Sequence, residues 1–532
     1  MSITKARVAQ NFKSISKLLS DKSLTKKASL NAIAATLDYA ARLAVGFLLT
    51  PLLVVGLGDF YFGAWQILMR LIGYITPASG RPTQALKFTL ANQQSLSDDD
   101  QKRRHVGSTL AVWAFFLPIM AVLGGLLAWY VPYWINAPLK YFWNVRLVAG
   151  ILVLNLALTN LASIPQAILE GENLGYKRMG MSAVLVFVGG GFTWLALYLN
   201  TGIIGVGIAT FAITLLTGLF WLRVVHVYIP WFGIARPSRI AAREFLGLSW
   251  WFMGWNLIMN LMTASDVVLL GMLNSVESVT GYTLTKYAPE MLISLVAIMA
   301  FGIAPGLGGI IGSGKLDKAG RVRGEMMSLT WLIVTVLGAT VLLWNRIFIK
   351  LWVGERYFVG AIPDLLIVVV VIQFVLIRND SNFIDLTLRL RKKVVMGALS
   401  VTLSLALAAI FIGYFKLGVV GLSLGLIIGR LILSIGYPTL VGRFLGVTLF
   451  SQLKNVLRPG LITILLFILA TVVTSSSFIF GWTHLNGWIG LILFGGISFL
   501  VMFLLAFFTG LSANQQRQIL SRVRIVLGIT SD

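Results

Sequence analysis

The chain has no cysteine and only three histidines, His105, His226 and His484. Disulfides and thiol chemistry are therefore excluded. The histidines stand in no metal-ligand spacing, so no metal site is read. No Ser-His-Asp set, P-loop or catalytic carboxylate pair is present, so neither an enzyme, a cofactor nor a built-in ATP motor is expected. Gly189-Gly190-Gly191 lies inside an apolar run, where glycines serve close helix packing rather than a nucleotide. Acids are scarce too, with 19 Asp and Glu against 43 Lys and Arg and a formal net charge of +24. Residues 1–27 hold no apolar run long enough for a signal peptide. The first hydrophobic stretch, from Ala28, is expected to stay in the membrane.

What fills the chain instead is apolar sequence: 58% of the residues are hydrophobic. A stretch of about 20 such residues spans a bilayer as a helix. Roughly fourteen are found, near 28–57, 61–91, 106–130, 145–168, 180–199 and 202–224, then 246–273, 278–312, 325–344, 361–388, 394–414 and 417–441, and finally 459–478 and 487–508. The expected fold class is an all-α polytopic membrane protein, with two six-helix lobes around a central cavity and two further C-terminal helices. Residues 1–27 form a basic tail, 28–224 and 246–441 the lobes, 459–508 the last helix pair and 509–532 a C-terminal tail.

Most Lys and Arg fall in the two tails and in every second loop, as at Lys177-Arg178, Arg236 to Arg243, Lys315 to Arg323 and Arg391-Lys392-Lys393. That asymmetry is the positive-inside rule. It accounts for the charge without nucleic acid and puts both termini in the cytoplasm, which requires an even span count. Val8, Phe12, Ile15 and Leu19 recur at helical spacing, so the tail either lies on the anionic inner leaflet as an amphipathic helix or is a disordered basic segment. The opposite loops are short and aromatic (Trp129-Tyr130, Tyr133-Trp134, Tyr141-Phe142-Trp143), as at a membrane interface.

Several spans hold a cation, which costs roughly 2.5–3.5 kcal/mol at a helix centre and is rarely kept without a task. Arg70 and Lys286 come first, at corresponding places in the two halves, where they would face one another across a cleft. Arg42, Arg81 and Arg378 extend the same positive surface. A guanidinium or ammonium in such an interior binds phosphate through charge-assisted hydrogen bonds, so the substrate is expected to be anionic. Plainer readings exist: Arg42 pairs with Asp38 four residues earlier, Lys286 with Glu290, and Lys87 and Arg430 snorkel to the boundary. Asp38, Asp266 and Asp385 are candidates for carrying H⁺ or Na⁺, because burial disfavours a bare carboxylate charge. Around Arg378 the run Asn379-Asp380-Ser381-Asn382 makes a polar break, tolerable only against protein or a water-filled cavity.

The halves also look alike. Gly56-Leu57-Gly58 precedes Arg70 and a Gly/Pro break at Gly80 and Pro82, while Val268-Leu269-Leu270-Gly271 precedes Lys286 and a break at Gly302 and Pro305. Repeats of this kind build two-lobed transporters.

The segment Gly56-Leu57-Gly58-Asp59-Phe60-Tyr61-Phe62-Gly63-Ala64-Trp65 resembles the join between the first two helices of polysaccharide flippases. These are the Wzx-like, O-antigen branch of the multidrug/oligosaccharidyl-lipid/polysaccharide superfamily. Gln166-Ala167-Ile168-Leu169-Glu170-Gly171, the stretch from Asp266 to Tyr282, and Leu351-Trp352-Val353-Gly354-Glu355-Arg356-Tyr357-Phe358 are similar too, so the resemblance covers about residues 28–510. It implies a rocking transporter that moves an undecaprenyl-pyrophosphate-linked oligosaccharide between leaflets of the bacterial inner membrane, for O-antigen, capsule or exopolysaccharide. Its partners would be that lipid-linked substrate, the lipid bilayer and the polysaccharide polymerase machinery. The rivals are an ion-coupled drug exporter of the same superfamily, a polysaccharide polymerase or ligase, and an anion channel.

Overall fold

The computed structural model describes residues 24–80, 82–92, 98–172, 174, 181–237, 239–387, 390–475 and 487–526. Among them the chain is helical throughout and holds no strand. Among the described residues eleven helices are long and apolar enough to cross a membrane. The difference from fourteen has a simple origin. The first helix, α1 (Leu24–Ile75), carries two passes, because Gly58 at φ 72°, ψ 172° turns the chain between two helical limbs. Glycine alone takes such a backbone without strain. Two more long helices, α7 (Arg239–Leu273) and α8 (Val276–Gly312), cover the stretches expected as the seventh and eighth spans.

The chain forms two compact units, Met1–Leu257 and Ile258–Asp532, divided within α7. In unit one a 3₁₀ turn, Thr76–Ser79, interrupts the second pass, and the chain resumes as α2 (Pro82–Asn92). Pro77 opens that turn and Gly80 closes it in the left-handed region at φ 69°. A side chain at Gly80 would collide with the Phe116 ring, 2.3 Å from an added Cβ. Unit one continues through α3 (Asp99–Trp134), α4 (Phe142–Gly171), α5 (Met181–Tyr198) and α6 (Gly202–Tyr228). Asp98 caps α3, its carboxylate accepting from Gln101 N at 2.9 Å. Leu86, Ile168, Trp221, Val225 and Trp231 pack one core of this unit. The connector after α6 is fastened to it: Arg103 Nε donates to Trp231 O at 2.7 Å, and Ala235 N to Arg103 O at 3.3 Å.

Unit two contains the rest of α7, then α8, α9 (Leu316–Trp352), α10 (Ala361–Leu386), α11 (Leu390–Gly413), α12 (Gly418–Leu445), α13 (Leu449–Ser475), α14 (Gly487–Leu505) and α15 (Ala513–Val526). Here the expected second Gly/Pro break does not form, because α8 runs unbroken from Val276 to Gly312. The last two spans are not an appendage. Thr335 and Thr463 join α9 to α13 through their hydroxyls at 2.6 Å, Thr474 Oγ1 donates to Leu342 O at 2.7 Å, and Trp344 Nε1 donates to Ser498 Oγ of α14 at 3.1 Å. Gly338 lets the Phe467 ring reach the α9 backbone, at 2.6 Å from where a Cβ would stand. In lipid, such close packing and hydrogen bonding hold helices together, since hydrocarbon gives no hydrophobic drive between them.

Candidate functional site

Charged side chains gather in the helix interiors of unit two. Asp266 on α7 is only 5% exposed, and Lys286 on α8 6%. Asp266 Oδ2 accepts from Lys286 Nζ at 2.6 Å and from Tyr282 OH at 2.6 Å, while Oδ1 accepts from Val267 N at 2.9 Å. Glu290, one turn along α8, stands 3.7 Å from the same ammonium. Lys286 is thus neutralised by two acids, the closer of them on the neighbouring helix. A substrate-binding candidate and an ion-coupling candidate turn out to be one pair. Helical spacing pointed to Glu290 and could not show the shorter contact across the join.

A second lock lies deeper along α10. Arg323 of α9 grips Asp380 Oδ1 through Nε at 2.9 Å and Nη2 at 2.6 Å, and Asn379 Nδ2 donates to Thr330 Oγ1 at 2.7 Å. The polar run around residue 380 is thus set against protein, with the helix intact. α10 continues through it, and α9 binds the Asp380 carboxylate and the Asn379 amide nitrogen laterally, while Asn379 Oδ1 and Ser381 Oγ are enclosed without a hydrogen-bond partner. Asp385, another of the three acids proposed for ion coupling, is bound by Lys393 at the start of α11. Lys393 is fully buried and donates also to Ser381 O at 3.3 Å.

Two arginines in helix interiors of unit two, Arg378 and Arg430, have no carboxylate within ion-pair distance among the described residues. Arg378 is half-buried, with Nη1 on Met259 Sδ at 3.3 Å. Arg430 was expected to snorkel, and it does not. It is buried mid-way along α12, donating to Met262 O at 2.7 Å and Val370 O at 3.4 Å and lying over the Phe374 ring. Snorkelling needs a helix end within reach of the stem, and position 430 is more than three turns from either end of Gly418–Leu445. Counting residues to the span ends would have found this.

The unit-one candidates are differently placed. Arg70 is half-buried on the second limb of α1, and Arg42 is exposed on the first. No ion pair joins Arg42 to Asp38, whose Oδ1 is enclosed without a protein partner. Arg81 lies outside the described residues. Lys87, also expected to snorkel, pairs with Glu170 at 2.9 Å, and Lys102 with Glu172 at 3.0 Å. No group of acids and histidines that could hold a metal ion occurs among the described residues.

No family model and no curated protein matches the chain. Solved structures do. The lipid II flippase MurJ in an inward closed conformation matches with TM-score 0.65 at 12% identity, covering 88% of this chain and 97% of that one. An inward-facing multidrug resistance MATE family transporter of the MOP superfamily matches with TM-score 0.63 at 16% identity, covering 77% and 94%. A MOP superfamily transporter from Pyrococcus furiosus matches with TM-score 0.50 at 15% identity, over 79% and 96%. The fold of this multi-pass membrane protein is that of the MOP superfamily transporters. At such identities the likeness is one of fold alone.

Proposed function

We propose that the protein is an alternating-access transporter that flips a polyprenyl-pyrophosphate-linked oligosaccharide from the inner to the outer leaflet of a bacterial inner membrane. Both termini would then be cytoplasmic and the product would feed cell-surface polysaccharide assembly. The observation that carries the reading is the charge left over in unit two. Arg378 and Arg430 lie in helix interiors with no carboxylate within ion-pair distance among the described residues, Asp385 and Asp266 acting on them only from farther off. Interior cations of that kind suit a diphosphate, which binds guanidinium through two charge-assisted hydrogen bonds. A charged, hydrated headgroup does not cross bare hydrocarbon unaided, so a shielded cationic path answers the task. The lipid II flippase fold also spans more of this chain than the multidrug transporter fold does, 88% against 77%. α13 and α14, built into unit two by α9, give the chain helices beyond two sets of six.

The second reading is an ion-coupled multidrug exporter, favoured by the buried acid Asp266 and the likeness to the MATE transporter. The two readings separate in inverted membrane vesicles. The flippase reading expects uptake of lipid-linked oligosaccharide by wild type, loss of most of it in Arg378→Ala, and partial recovery in Arg378→Lys. Vesicles that transport cationic dyes and no lipid-linked sugar would give the function to the exporter.

A further inference from the structure

Near the start of α10 lies a carboxyl that neither the ion pairs nor the proposed transport uses. Asp364 is 1% exposed, and among the described residues no cation comes within ion-pair distance. It receives one side-chain hydrogen bond, from Asn345 Nδ2 of α9 at 2.7 Å. The same Nδ2 donates to Thr285 O of α8 at 2.9 Å, which fixes the amide orientation, since only nitrogen can serve two acceptors. Asn345 is 2% exposed, and its Oδ1 is consequently a buried acceptor with no partner. One enclosed carboxyl without a cation therefore sits beside one enclosed amide oxygen without a donor. An ionised carboxylate so placed, and an orphan acceptor with it, would each carry a desolvation cost.

We propose that Asp364 and Asn345 form a proton-binding site, the carboxyl held as the neutral acid and its O–H donated to Asn345 Oδ1. A single proton then removes both defects, and acid and amide pair through two hydrogen bonds, N–H to carbonyl and O–H to amide oxygen. The ligand is a proton rather than a metal ion, because Asn345 Nδ2 aims a positive donor at the carboxyl and Thr285 O is already taken by it. Neighbouring charges are engaged elsewhere. On α8, Lys286 holds Asp266; on α9, Arg346 Nη2 binds Glu355 at 2.7 Å; in the turn that follows, Arg356 binds the Tyr357 hydroxyl. The site ties α8, α9 and α10 at one corner, where Thr285 Oγ1 also donates to Tyr357 O at 3.2 Å. It stands independently of what the protein transports.

Infrared difference spectroscopy of the purified full-length protein tests the proposal. At neutral pH the wild type should show a protonated-carboxyl C=O band that Asp364→Asn lacks. Asn345→Leu should shift that band upward, as the carbonyl loses its donor. Thermal unfolding adds a readout that a plain packing role would not move. The native state would hold one proton more than the unfolded chain, so wild-type stability should fall as pH rises from mildly acid to alkaline, while the Asp364→Asn curve is flatter. Identical carboxyl bands in wild type and Asp364→Asn would overturn the proposal. So would a wild type stabilised at fixed pH by added Na⁺, with that effect lost in Asp364→Asn.

Discussion

The two units handle charge differently. In unit one the described ion pairs with helix-end residues, Lys87–Glu170 and Lys102–Glu172, gather where α3 begins and α4 finishes. In unit two the pairs Asp266–Lys286 and Arg323–Asp380 cross between helices within their lengths. The backbones differ in the opposite sense. Unit one breaks its second pass at Thr76–Gly80, whereas unit two carries α8 unbroken through the corresponding stretch. Unit one thus accommodates irregular backbone within a pass, and unit two accommodates ion pairs placed within the lengths of its helices. Each is tolerated inside a membrane protein only when its polar groups are satisfied locally.

The sharpest way to break this comparison is to strand a charge in unit two. Asp266→Ala leaves the Lys286 ammonium buried with only the more distant Glu290, and Arg323→Ala leaves Asp380 with no cation. Each should destabilise unit two by about 3–5 kcal/mol, the usual result of removing one partner of a buried pair. The measurement is thermal unfolding in detergent. The double variant Asp266→Asn/Lys286→Met should recover much of the loss, because the whole pair is replaced. A smaller effect, about 1–3 kcal/mol, is expected of Gly429→Ala. Its added Cβ would meet the Ser404 backbone at 2.4 Å, where α11 and α12 pack through small residues. Glu172→Ala in unit one should cost about 1–2 kcal/mol, since Lys102 and Trp231 Nε1 both lose their acceptor at a helix end, where Glu172 itself keeps some exposure. Arg42→Ala, exposed and outside any described ion pair, should stay within about 0.5 kcal/mol of wild type. Parity between Asp266→Ala and Glu172→Ala would erase the distinction between the units.

Much of the fold was legible in the sequence, because span length and apolarity set a bilayer helix with little help from tertiary context. Gly56 to Trp65 marked the turn between the first two passes, and Gly58 makes it. Pro305 was misleading, since a proline within a bundle can be accommodated when neighbouring groups satisfy the freed carbonyl. The site was less legible for a definite reason. Charges four apart on one helix can be paired from sequence, as Lys286 with Glu290 was. Partners on adjacent helices, such as Asp266 for Lys286 and Arg323 for Asp380, depend on packing angles that spacing does not encode. Asp364 gave no signal at all, because its meaning comes from the unfilled oxygen of Asn345.

The most direct test is lipid binding to the purified protein, comparing undecaprenyl pyrophosphate with the uncharged alcohol undecaprenol by native mass spectrometry. A cationic interior built for a diphosphate predicts retention of the pyrophosphate and not the alcohol, with retention cut at least tenfold in Arg378→Ala. Equal retention of both lipids, unchanged in that variant, would contradict it.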